Sequence, residues 1–338
     1  MEKVLITGGL GTIGSCITAQ CVKRGYDVTI IDDYSIGVEN NLLYYLNDEE
    51  VKKIKIIKGS ILNEKLVDEH MKDKGLCFHM AALLGTLRVV RHPYEMIKTN
   101  INGTHNVLEG AKKHNVKIVV PSTSMVYGNN PKIMVSENDD CFVGGNLNKS
   151  LWWYAITKMA DECTTRALLF DESITALIIR PFNIVGPIQS ALAGFVIPRF
   201  ISSAIMGKSI PVYGSGEQTR SFVWTEDFVE ALFKLIDKNV WNETVNIGST
   251  YEIKIIDLAK RIIEKTKSGS EIIYVNPDRL FKGQFVEING RIPCIKKLTD
   301  LTGTTDNDFK NVDFILDKFI EYYKTVKDEN IWTYKPDY

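Results

Sequence analysis

The glycine-rich beginning of the chain constrains its fold more than any other stretch. Residues 4–6 are a short apolar run, typical of a strand buried on both faces, and a helix is expected over residues 15–24. Between them, Gly9, Gly11 and Gly14 have the G-x-G-x-x-G spacing. In that spacing the first glycine permits a tight turn, the second lets backbone approach a pyrophosphate, and the third lets helix pack on strand. The free N–H groups at the helix N-terminus then bind phosphate.

An acidic residue follows the second predicted strand at the distance that a dinucleotide site requires. That strand covers residues 27–31, and Asp32 lies 23 residues after Gly9, close to the roughly 20 expected. A carboxylate there accepts hydrogen bonds from ribose hydroxyls and repels a 2′-phosphate, so the sequence predicts NAD rather than NADP. The alternative is that Asp32 only solvates the loop after a strand.

Composition excludes several classes of function. The 338 residues hold 41 Lys and Arg against 42 Asp and Glu, so no nucleic-acid or membrane surface is expected. The six cysteines form no C-x-x-C pair and no cluster with metal-ligand spacing, so we expect no metal site and reduced thiols in a cytoplasmic protein. No signal peptide is expected, and no apolar run approaches the roughly 18 residues of a membrane span.

Strands and helices alternate along the first half of the chain. This alternation predicts an α/β fold with a doubly wound, Rossmann-type parallel sheet. Ligands bind at the carboxyl ends of such strands, where Gly9, Asp32, His79 and Thr123 are all expected to lie. His79 is a candidate catalytic residue, although a histidine at a strand end more often hydrogen-bonds backbone. The further predicted strands cover residues 54–58, 76–78 and 116–121, and the helices cover residues 63–72, 93–113 and 150–170.

A tyrosine and a lysine four residues apart lie on the last of these helices. Tyr154 and Lys158 therefore project from one helix face. Tyr154 lies 31 residues after Thr123. A phenol with a pKa near 10 must lose about three units, roughly 4 kcal/mol, to act as a base at neutral pH. Lys158 and a nicotinamide cation can supply the field that does this. The alternative is a packing tyrosine with a lysine lying beside it.

These motifs together resemble those of the extended short-chain dehydrogenase/reductases that act on nucleotide sugars. The resemblance covers essentially the whole chain and implies an NAD-binding domain over residues 1–185. Residues 186–338 would mainly form a smaller lobe for the nucleotide sugar, with some segments returning to the sheet. It also implies a homodimer paired through helices 93–113 and 150–170. The motifs that carry the resemblance lie at residues 7–14, 79–82, 122–128, 154–158, 180–187 and 212–222.

In the smaller lobe the alternation is looser. The structural expectations there are helices over residues 195–206, 225–238, 254–265 and 312–327, and strands over residues 210–212, 221–224 and 245–248.

The resemblance also implies a role for individual residues. Tyr154 would be the base or acid at a sugar hydroxyl, Lys158 would lower its pKa and hold the nicotinamide ribose, and Thr123 would hydrogen-bond the reacting oxygen. The implied contacts to NAD are Gly8, Gly11, Thr12, Ile13, Asp32, Asp33, Ser35, Gly37, Ser60, Ile61, Ala81, Ala82, Asn100, Tyr154, Lys158 and Pro181. The implied contacts to a nucleotide sugar, most simply a UDP-sugar, are Ser124, Met125, Asn183, Val196, Arg199, Val212, Tyr213, Gln218, Arg220 and Arg291.

Within the second set, Asn183 would contact the diphosphate and the two later arginines, Arg220 and Arg291, would pair with its charge. Val212 and Tyr213 would lie near the nucleobase. The chain departs from the family at Ser60, where relatives usually place an aspartate against adenine, and a hydroxyl is the weaker acceptor.

The reaction depends on the residues after Thr123. Relatives that are 4,6-dehydratases have an Asp-Glu pair at the positions of Ser124 and Met125, and glucuronate decarboxylases have glutamate at the second. Because neither residue here can shuttle a proton like a carboxylate, we expect a 4-epimerase, which needs only Tyr154, Lys158, Thr123 and NAD. A UDP-glucuronate decarboxylase is the next alternative, followed by a dehydratase, another epimerase or a 4-dehydrogenase. A non-catalytic NAD-binding protein is the competing class.

Overall fold

A parallel sheet forms the centre of the computed structural model, which describes residues 1–143, 147–281, 283–284, 286, 288 and 290–325. The strands are β1 (Lys3–Thr7), β2 (Asp27–Asp32), β3 (Lys55–Lys58), β4 (Leu76–His79), β5 (Lys117–Pro121), β6 (Met134–Val135), β7 (Ala176–Pro181), β8 (Ile184–Val185), β9 (Ile210–Tyr213), β10 (Thr219–Ser221), β11 (Val223–Trp224), β12 (Glu243–Ile247), β13 (Glu252–Lys254), β14 (Ile272–Val275) and β15 (Ile292–Pro293).

The helices alternate with the strands through the first half of the chain. They are α1 (Thr12–Lys23), α2 (Asp48–Val51), α3 (Glu64–Met71), α4 (Thr86–Arg91), α5 (Pro93–His114), α6 (Ser150–Phe170), α7 (Val196–Ile205), α8 (Thr225–Asp237), α9 (Ile255–Thr266), α10 (Pro277–Phe281), α11 (Lys296–Thr302) and α12 (Val312–Thr325). Short 3-10 helices cover Glu39–Tyr44, Ser124–Tyr127, Ala191–Ala193 and Asp306–Asp308.

Seven of the strands pair in the order β12-β7-β5-β4-β1-β2-β3, and every pairing among them is parallel. The opening strand is buried on both faces, as its apolar run predicts. Val4 and Ile6 pack into the core against α1 and α8, whereas Leu5 packs into the core on the opposite face against α3 and α5. The Rossmann-type doubly wound fold is therefore confirmed.

Most predicted elements end within a few residues of the observed ones, and the differences have local causes. Helix α1 begins at Thr12 rather than at residue 15, because Gly11 is its N-cap and Gly14 lies inside the first turn. No strand was expected at residues 176–181, where β7 runs in the middle of the sheet. A short apolar run of this kind cannot be assigned from periodicity alone.

The second half of the chain contributes both to the main sheet and to a second hydrophobic core. Strand β12 extends the main sheet beside β7. Helix α8 packs against α1, and its Phe233 stacks on Phe78 of β4 at 5.5 Å. Helices α7, α9 and α12 instead form a separate core with the paired strands β9 and β14. This second core, which we call the small lobe, stands beside the carboxyl ends of the main strands.

Two expectations in the small lobe differ from the structure or extend past it. The strand expected at residues 221–224 is two strands, because β10 pairs antiparallel with β13 whereas β11 pairs parallel with β8. The last helix is described to Thr325, and residues 326–327 of the expected helix lie outside the described part of the chain. No helix within the described residues is long and apolar enough to cross a membrane.

Candidate active site

The loop between β1 and α1 is shaped by three glycines with different roles. Gly8, rather than Gly9, has the left-handed backbone of the turn, with φ +69°. A Cβ on Gly8 would lie 2.6 Å from the amide nitrogen of Ala81, and a Cβ on Gly14 would lie 2.0 Å from the carbonyl oxygen of Gly8. A Cβ on Gly11 would meet only that same oxygen, at 3.4 Å. The protein therefore needs glycine at residues 8 and 14 for its own packing, whereas residue 11 leaves open space beside the loop.

The first turn of α1 offers hydrogen-bond donors at that open space. The helix has no acidic residue in its first turn and no side chain that caps it. Within the described residues, the backbone N–H groups of Thr12 and Ile13 have no acceptor. Free N–H groups at a helix N-terminus bind phosphate, so the loop fits a dinucleotide pyrophosphate.

Asp32 is held at the end of β2 in an orientation that suits a ribose. Its Oδ2 accepts from the N–H of Leu10 at 3.0 Å and its Oδ1 accepts from the N–H of Tyr34 at 2.9 Å. Each carboxylate oxygen keeps a further lone pair for a ligand hydroxyl. Burial raises the pKa of Asp32, and these two N–H groups oppose that rise. The residue is thus positioned by the glycine loop itself, which favours the ribose role over that of a loop-solvating acid.

The turn after Asp32 packs directly on the glycine loop. The N–H of Ser35 donates to Asp33 Oδ1 at 2.9 Å, and a Cβ on Gly37 would lie 2.7 Å from the backbone carbon of Leu10. The turn of residues 33–37 is therefore fixed at the edge where an adenosine would leave the sheet.

The other residues expected at the cofactor lie along the same edge and have structural partners. Ser60 Oγ accepts from the N–H of Leu62 at 3.2 Å, so its hydroxyl is partly used within its own turn. Ile61 is buried. Ala81 donates its N–H to Thr7 Oγ1 at 3.3 Å, Ala82 follows it, and Pro181 ends β7.

Asn100 joins three elements. Its Oδ1 accepts from the N–H of Leu83 at 2.8 Å, and its Nδ2 donates to the carbonyl of Leu83 and to Thr157 Oγ1. It therefore fixes the segment after β4 against α5 and α6.

His79 is a buried structural residue. Its Nδ1 lies 2.8 Å from Thr7 Oγ1 and its Nε2 lies 3.0 Å from Thr104 Oγ1. Its partners are thus threonine hydroxyls rather than the backbone groups expected. Burial, together with the charge of Lys158, lowers the pKa of His79 to about 3, so the imidazole is neutral at physiological pH.

Thr123, Tyr154 and Lys158 meet at the carboxyl end of β5. The Thr123 hydroxyl and the charge of Lys158 both act on the Tyr154 phenol. Thr123 also caps the following 3-10 helix, because its Oγ1 accepts from the N–H of Met125 at 3.2 Å. The Lys158 side chain is buried, with Nζ 3.1 Å from Asp161 Oδ2.

The groups around Tyr154 have opposing effects on the pKa of its phenol. Burial raises its pKa above the ordinary value of 10, Lys158 and the Thr123 hydroxyl lower it, and Asp161 raises it. The field of Lys158 is therefore insufficient by itself to make a base at neutral pH. An oxidised nicotinamide bound beside the phenol would add positive charge, which favours a phenolate.

Two acids on α6 were missed from the sequence. Glu162 forms a bidentate ion pair with Arg180 of β7, at 2.8 and 2.7 Å, and Arg180 also donates to Tyr127 Oη at 2.9 Å. Glu162 thereby ties the helix that carries Tyr154 to the sheet. Asp161 contacts Lys158 directly. The two acids follow Lys158 by three and four residues, a helical spacing that places them on its face.

Arginine and methionine side chains from distant parts of the chain meet beside Thr123. Arg291 Nη2 lies 3.3 Å from Met125 Sδ, and its Nη1 donates to the carbonyl of Gly128 at 3.4 Å. Within the described residues no carboxylate pairs with Arg291. Burial, and next the charge of Arg220, lowers its pKa to about 9. An anion bound here would relieve both effects.

A second group of expected substrate residues lies in the small lobe. The Arg199 guanidinium lies over the Tyr213 ring, 4.4 Å from its centroid, and Phe281 meets the same ring edge-on at 5.5 Å. Gln218 Nε2 donates to the carbonyl of Tyr213 at 3.0 Å. Val212 is fully buried in the core.

The remaining expected substrate residues flank this group. Asn183 has φ +43°, and its Nδ2 donates to the carbonyl of Ser221 at 2.8 Å. Arg220 Nη1 donates to the carbonyl of Ile288 at 2.8 Å. Val196 begins α7, and Ser124 is buried at the start of its 3-10 helix.

A glycine loop shaped for a pyrophosphate, an acid shaped for a ribose and a Thr-Tyr-Lys group on one sheet edge define a dinucleotide-dependent enzyme of the Rossmann class. Residues 4–248 match the NAD dependent epimerase/dehydratase family. The chain therefore belongs to that family, and the expected family and its cofactor NAD are confirmed.

Three relatives show the range of chemistry in this family. The chain is 38% identical over 304 residues to the UDP-N-acetyl-alpha-D-glucosaminuronate decarboxylase of Bacillus cytotoxicus, covering 89% of this chain and 91% of that protein. Two solved structures are 26% identical and cover 96% of this chain. They are the UDP-glucose 4-epimerase of Thermotoga maritima with UDP-glucose, which is covered to 99% with a TM-score of 0.84, and the UDP-N-acetylglucosamine 4-epimerase of Methanobrevibacter ruminantium with UDP-N-acetylmuramic acid, which is covered to 98% with a TM-score of 0.83.

Proposed function

We propose that this protein is an NAD-dependent decarboxylase of a nucleotide-linked uronic acid, with UDP-N-acetylglucosaminuronate as the first substrate to test. The observation that carries the proposal is Arg291, a half-buried guanidinium without a carboxylate partner among the described residues, packed on Met125 two residues after Thr123. The resemblance implies that Arg291 pairs with the diphosphate, but its contact with Met125, two residues after Thr123, instead suits a carboxylate on the sugar. The similarity to the Bacillus cytotoxicus decarboxylase supports the same reaction.

The first step is oxidation of the sugar at C4, in which each residue of the site has its own role. Tyr154 takes the proton of the C4 hydroxyl, and the Thr123 hydroxyl holds the reacting oxygen beside it. Lys158 stabilises the phenolate electrostatically. The glycine loop and Asp32 would hold NAD, which would supply the acceptor for the hydride of the sugar C4 and its later return. The sugar is left with a ketone at C4.

The ketone makes loss of carbon dioxide possible without another acid or base at residue 125. The carboxyl carbon is bonded to C5, so the C4 carbonyl is β to the carboxylate and accepts the electron pair of the breaking C5–C6 bond. Carbon dioxide leaves, and the resulting enolate takes one proton at C5 from water. The returned hydride and the proton held by Tyr154 then restore the C4 hydroxyl. Met125 therefore does not prevent decarboxylation, although its lack of a carboxylate favours the epimerase when the sequence is considered by itself. Its apolar side chain also limits hydration of the carboxylate, and a desolvated charge is less stable.

A 4-epimerase is the second candidate. Two solved relatives with 26% identity carry that activity in their names, and Thr123, Tyr154 and Lys158 are sufficient for it. In that case C4 is oxidised in the same way and the hydride returns to the other face of the ketone.

Product analysis distinguishes these reactions. The NAD-loaded enzyme is incubated separately with UDP-N-acetylglucosaminuronate, UDP-glucuronate, UDP-N-acetylglucosamine and UDP-glucose, and products are identified by NMR with trapping of carbon dioxide. We expect carbon dioxide and a nucleotide-linked pentose from a uronate. Inversion at C4 without carbon dioxide would favour the epimerase, and a 4-keto-6-deoxy product would indicate a dehydratase. Tyr154→Phe keeps the ring but has no exchangeable proton, so it should lose at least 100-fold in turnover.

We also propose that the protein is a cytoplasmic homodimer paired through α5 and α6. Both helices present apolar side chains to solvent, with Tyr94, Ile101 and Ile156 exposed by 74%, 36% and 37%. The six cysteines are free thiols, which suits a reducing compartment. Light scattering after gel filtration should give twice the chain mass of 38.2 kDa, and Ile156→Glu should shift it toward the monomer. A wild-type monomer would contradict the homodimer.

A further inference from the structure

Buried polar side chains of four elements lie between the first strand and Lys158. Thr7 Oγ1 and His79 Nδ1 are 2.8 Å apart, and His79 Nε2 and Thr104 Oγ1 are 3.0 Å apart. Burial raises the pKa of Asp161, and Lys158 and the Thr104 hydroxyl oppose that rise. Asp161 Oδ2 lies 3.1 Å from Lys158 Nζ. These side chains thus belong to β1, β4, α5 and α6.

The ion pair of Lys158 and Asp161 is well buried. The side chains of Lys158 and Asp161 are each only 2% exposed. An ammonium group has three donors, so the contact with Asp161 leaves two for the phenol and for a ribose. The carboxylate therefore holds the ammonium at a fixed point without using up its donors.

The other ionisable groups near the pair are already compensated or neutral. Glu162, the next residue on α6, is neutralised by Arg180 of β7. His79 of β4 is uncharged at physiological pH, and Thr104 of α5 carries no charge. Among the described residues, the charge that faces Lys158 at close range is thus that of Asp161.

We propose that Asp161 is a positioning residue of the active site, holding Lys158 in a buried ion pair and opposing its electrostatic effect on the Tyr154 phenol. This inference rests on the proposed roles of Tyr154 and Lys158. Without the cofactor, the opposite charges of Lys158 and Asp161 largely cancel at the Tyr154 phenol, and the phenol keeps its proton. The positive charge that makes the phenolate must then come from an oxidised nicotinamide. Asp161 thereby makes activation of the base depend on the cofactor.

The direction of the electrostatic effect agrees with this arrangement. Lys158 lowers the pKa of Tyr154, and Asp161 raises it. Removing the negative charge of Asp161 while Lys158 stays protonated should therefore lower that pKa in the protein without cofactor.

The test is an NMR titration of Tyr154 in the cofactor-free, full-length protein. Tyrosine labelled with ¹³C at Cζ reports ionisation of each phenol, and Tyr154→Phe assigns the signal by difference. Asp161→Asn should lower the pKa of Tyr154 by about one unit, the lower end of the effect of a close charge. Asp161→Glu, which keeps the charge, should restore the wild-type value. Thr104→Val removes a neutral partner of the same carboxylate and should leave the value unchanged.

Two results of this titration would overturn the proposed role of Asp161. An unchanged pKa in Asp161→Asn would show that Asp161 has a packing role only, and a raised pKa would show that Lys158 had lost its proton; both overturn the proposal. If Asp161→Asn does not fold, Asp161→Ala removes the same charge in a smaller side chain and is titrated in its place. The proposed function is tested separately by turnover of Tyr154→Phe. A dead Tyr154→Phe with an unshifted Asp161→Asn would reject the role of Asp161 alone.

Discussion

Gly11→Ala should mainly weaken cofactor binding, whereas Gly14→Ala should mainly reduce the stability of the fold. Both glycines lie within the same four residues of the loop, yet their surroundings differ. A Cβ on Gly14 would lie 2.0 Å from the carbonyl oxygen of Gly8, and this atom belongs to the backbone, so no side chain can move aside. A Cβ on Gly11 would lie 3.4 Å from its nearest neighbour.

The expected magnitudes follow from those distances. Overpacking of a rigid site costs typically 1–3 kcal/mol, and Gly14→Ala should fall near the upper end, at about 3 kcal/mol. With an unfolding entropy of about 2.1 cal/mol/K per residue, that loss lowers the Tm of a 338-residue chain by about 4 °C. Gly11 has φ −75° and ψ 174°, which alanine adopts freely. Gly11→Ala should therefore change Tm by only about 1 °C, the effect of a weaker N-cap.

The two variants should rank in the opposite order for cofactor binding. The Gly11→Ala methyl group occupies the space left for the pyrophosphate, so we expect at least a tenfold weaker Kd for NAD, about 1.4 kcal/mol. Differential scanning fluorimetry gives Tm, and isothermal titration calorimetry gives Kd. A Gly11→Ala protein that binds NAD as tightly as the wild type would refute the placement of the pyrophosphate. An unchanged Tm in Gly14→Ala would refute the packing of helix on loop.

Three further changes test other parts of the site and the fold. Asp32→Asn should weaken NAD binding about tenfold and reduce its preference over NADP in calorimetry, because the repulsion of a 2′-phosphate is lost; an unchanged preference would contradict the ribose role. Arg291→Gln should weaken binding of a nucleotide uronate at least tenfold more than binding of the corresponding neutral sugar, and equal losses would contradict the carboxylate contact. Burial raises the pKa of Asp227 to about 6, so the folded state holds the proton more tightly than the unfolded state and loses stability as pH rises from about 4 to 6. Asp227→Asn should therefore raise Tm at pH 8 but not at pH 4, whereas an equal change at both would contradict the shift.

The sequence was most informative where a structural feature depends on residues that are close together along the chain. Three glycines and an acid at fixed spacing are needed for one loop, so Gly11 and Asp32 could be placed from their residue types and spacing alone. The same holds for Tyr154 and Lys158, since a four-residue interval on a helix puts them on one face. Helix α6 has the expected bounds, residues 150–170.

The sequence was least informative where function depends on contacts between distant segments. The approach of Arg291 to Met125 joins residues 166 positions apart, and no local pattern predicts it. Asp161 follows Lys158 by three residues, but an acid on a helix is most often solvated, so this spacing alone does not single it out. Its importance comes from the packing of β4 and α5 around it, which buries the carboxylate with Lys158. Strand β7 was missed for a similar reason, since its place in the sheet depends on partners far away in the chain.

The most direct test of the account is the near-ultraviolet absorbance of the NAD-loaded enzyme after mixing with UDP-N-acetylglucosaminuronate. Oxidation at C4 of the sugar by way of Tyr154 predicts a transient band of reduced nicotinamide in the wild type. The band should be absent from Tyr154→Phe at the same NAD occupancy. An equal band in Tyr154→Phe, or intact substrate and no band across the nucleotide-sugar panel with the wild type, would contradict the central claim.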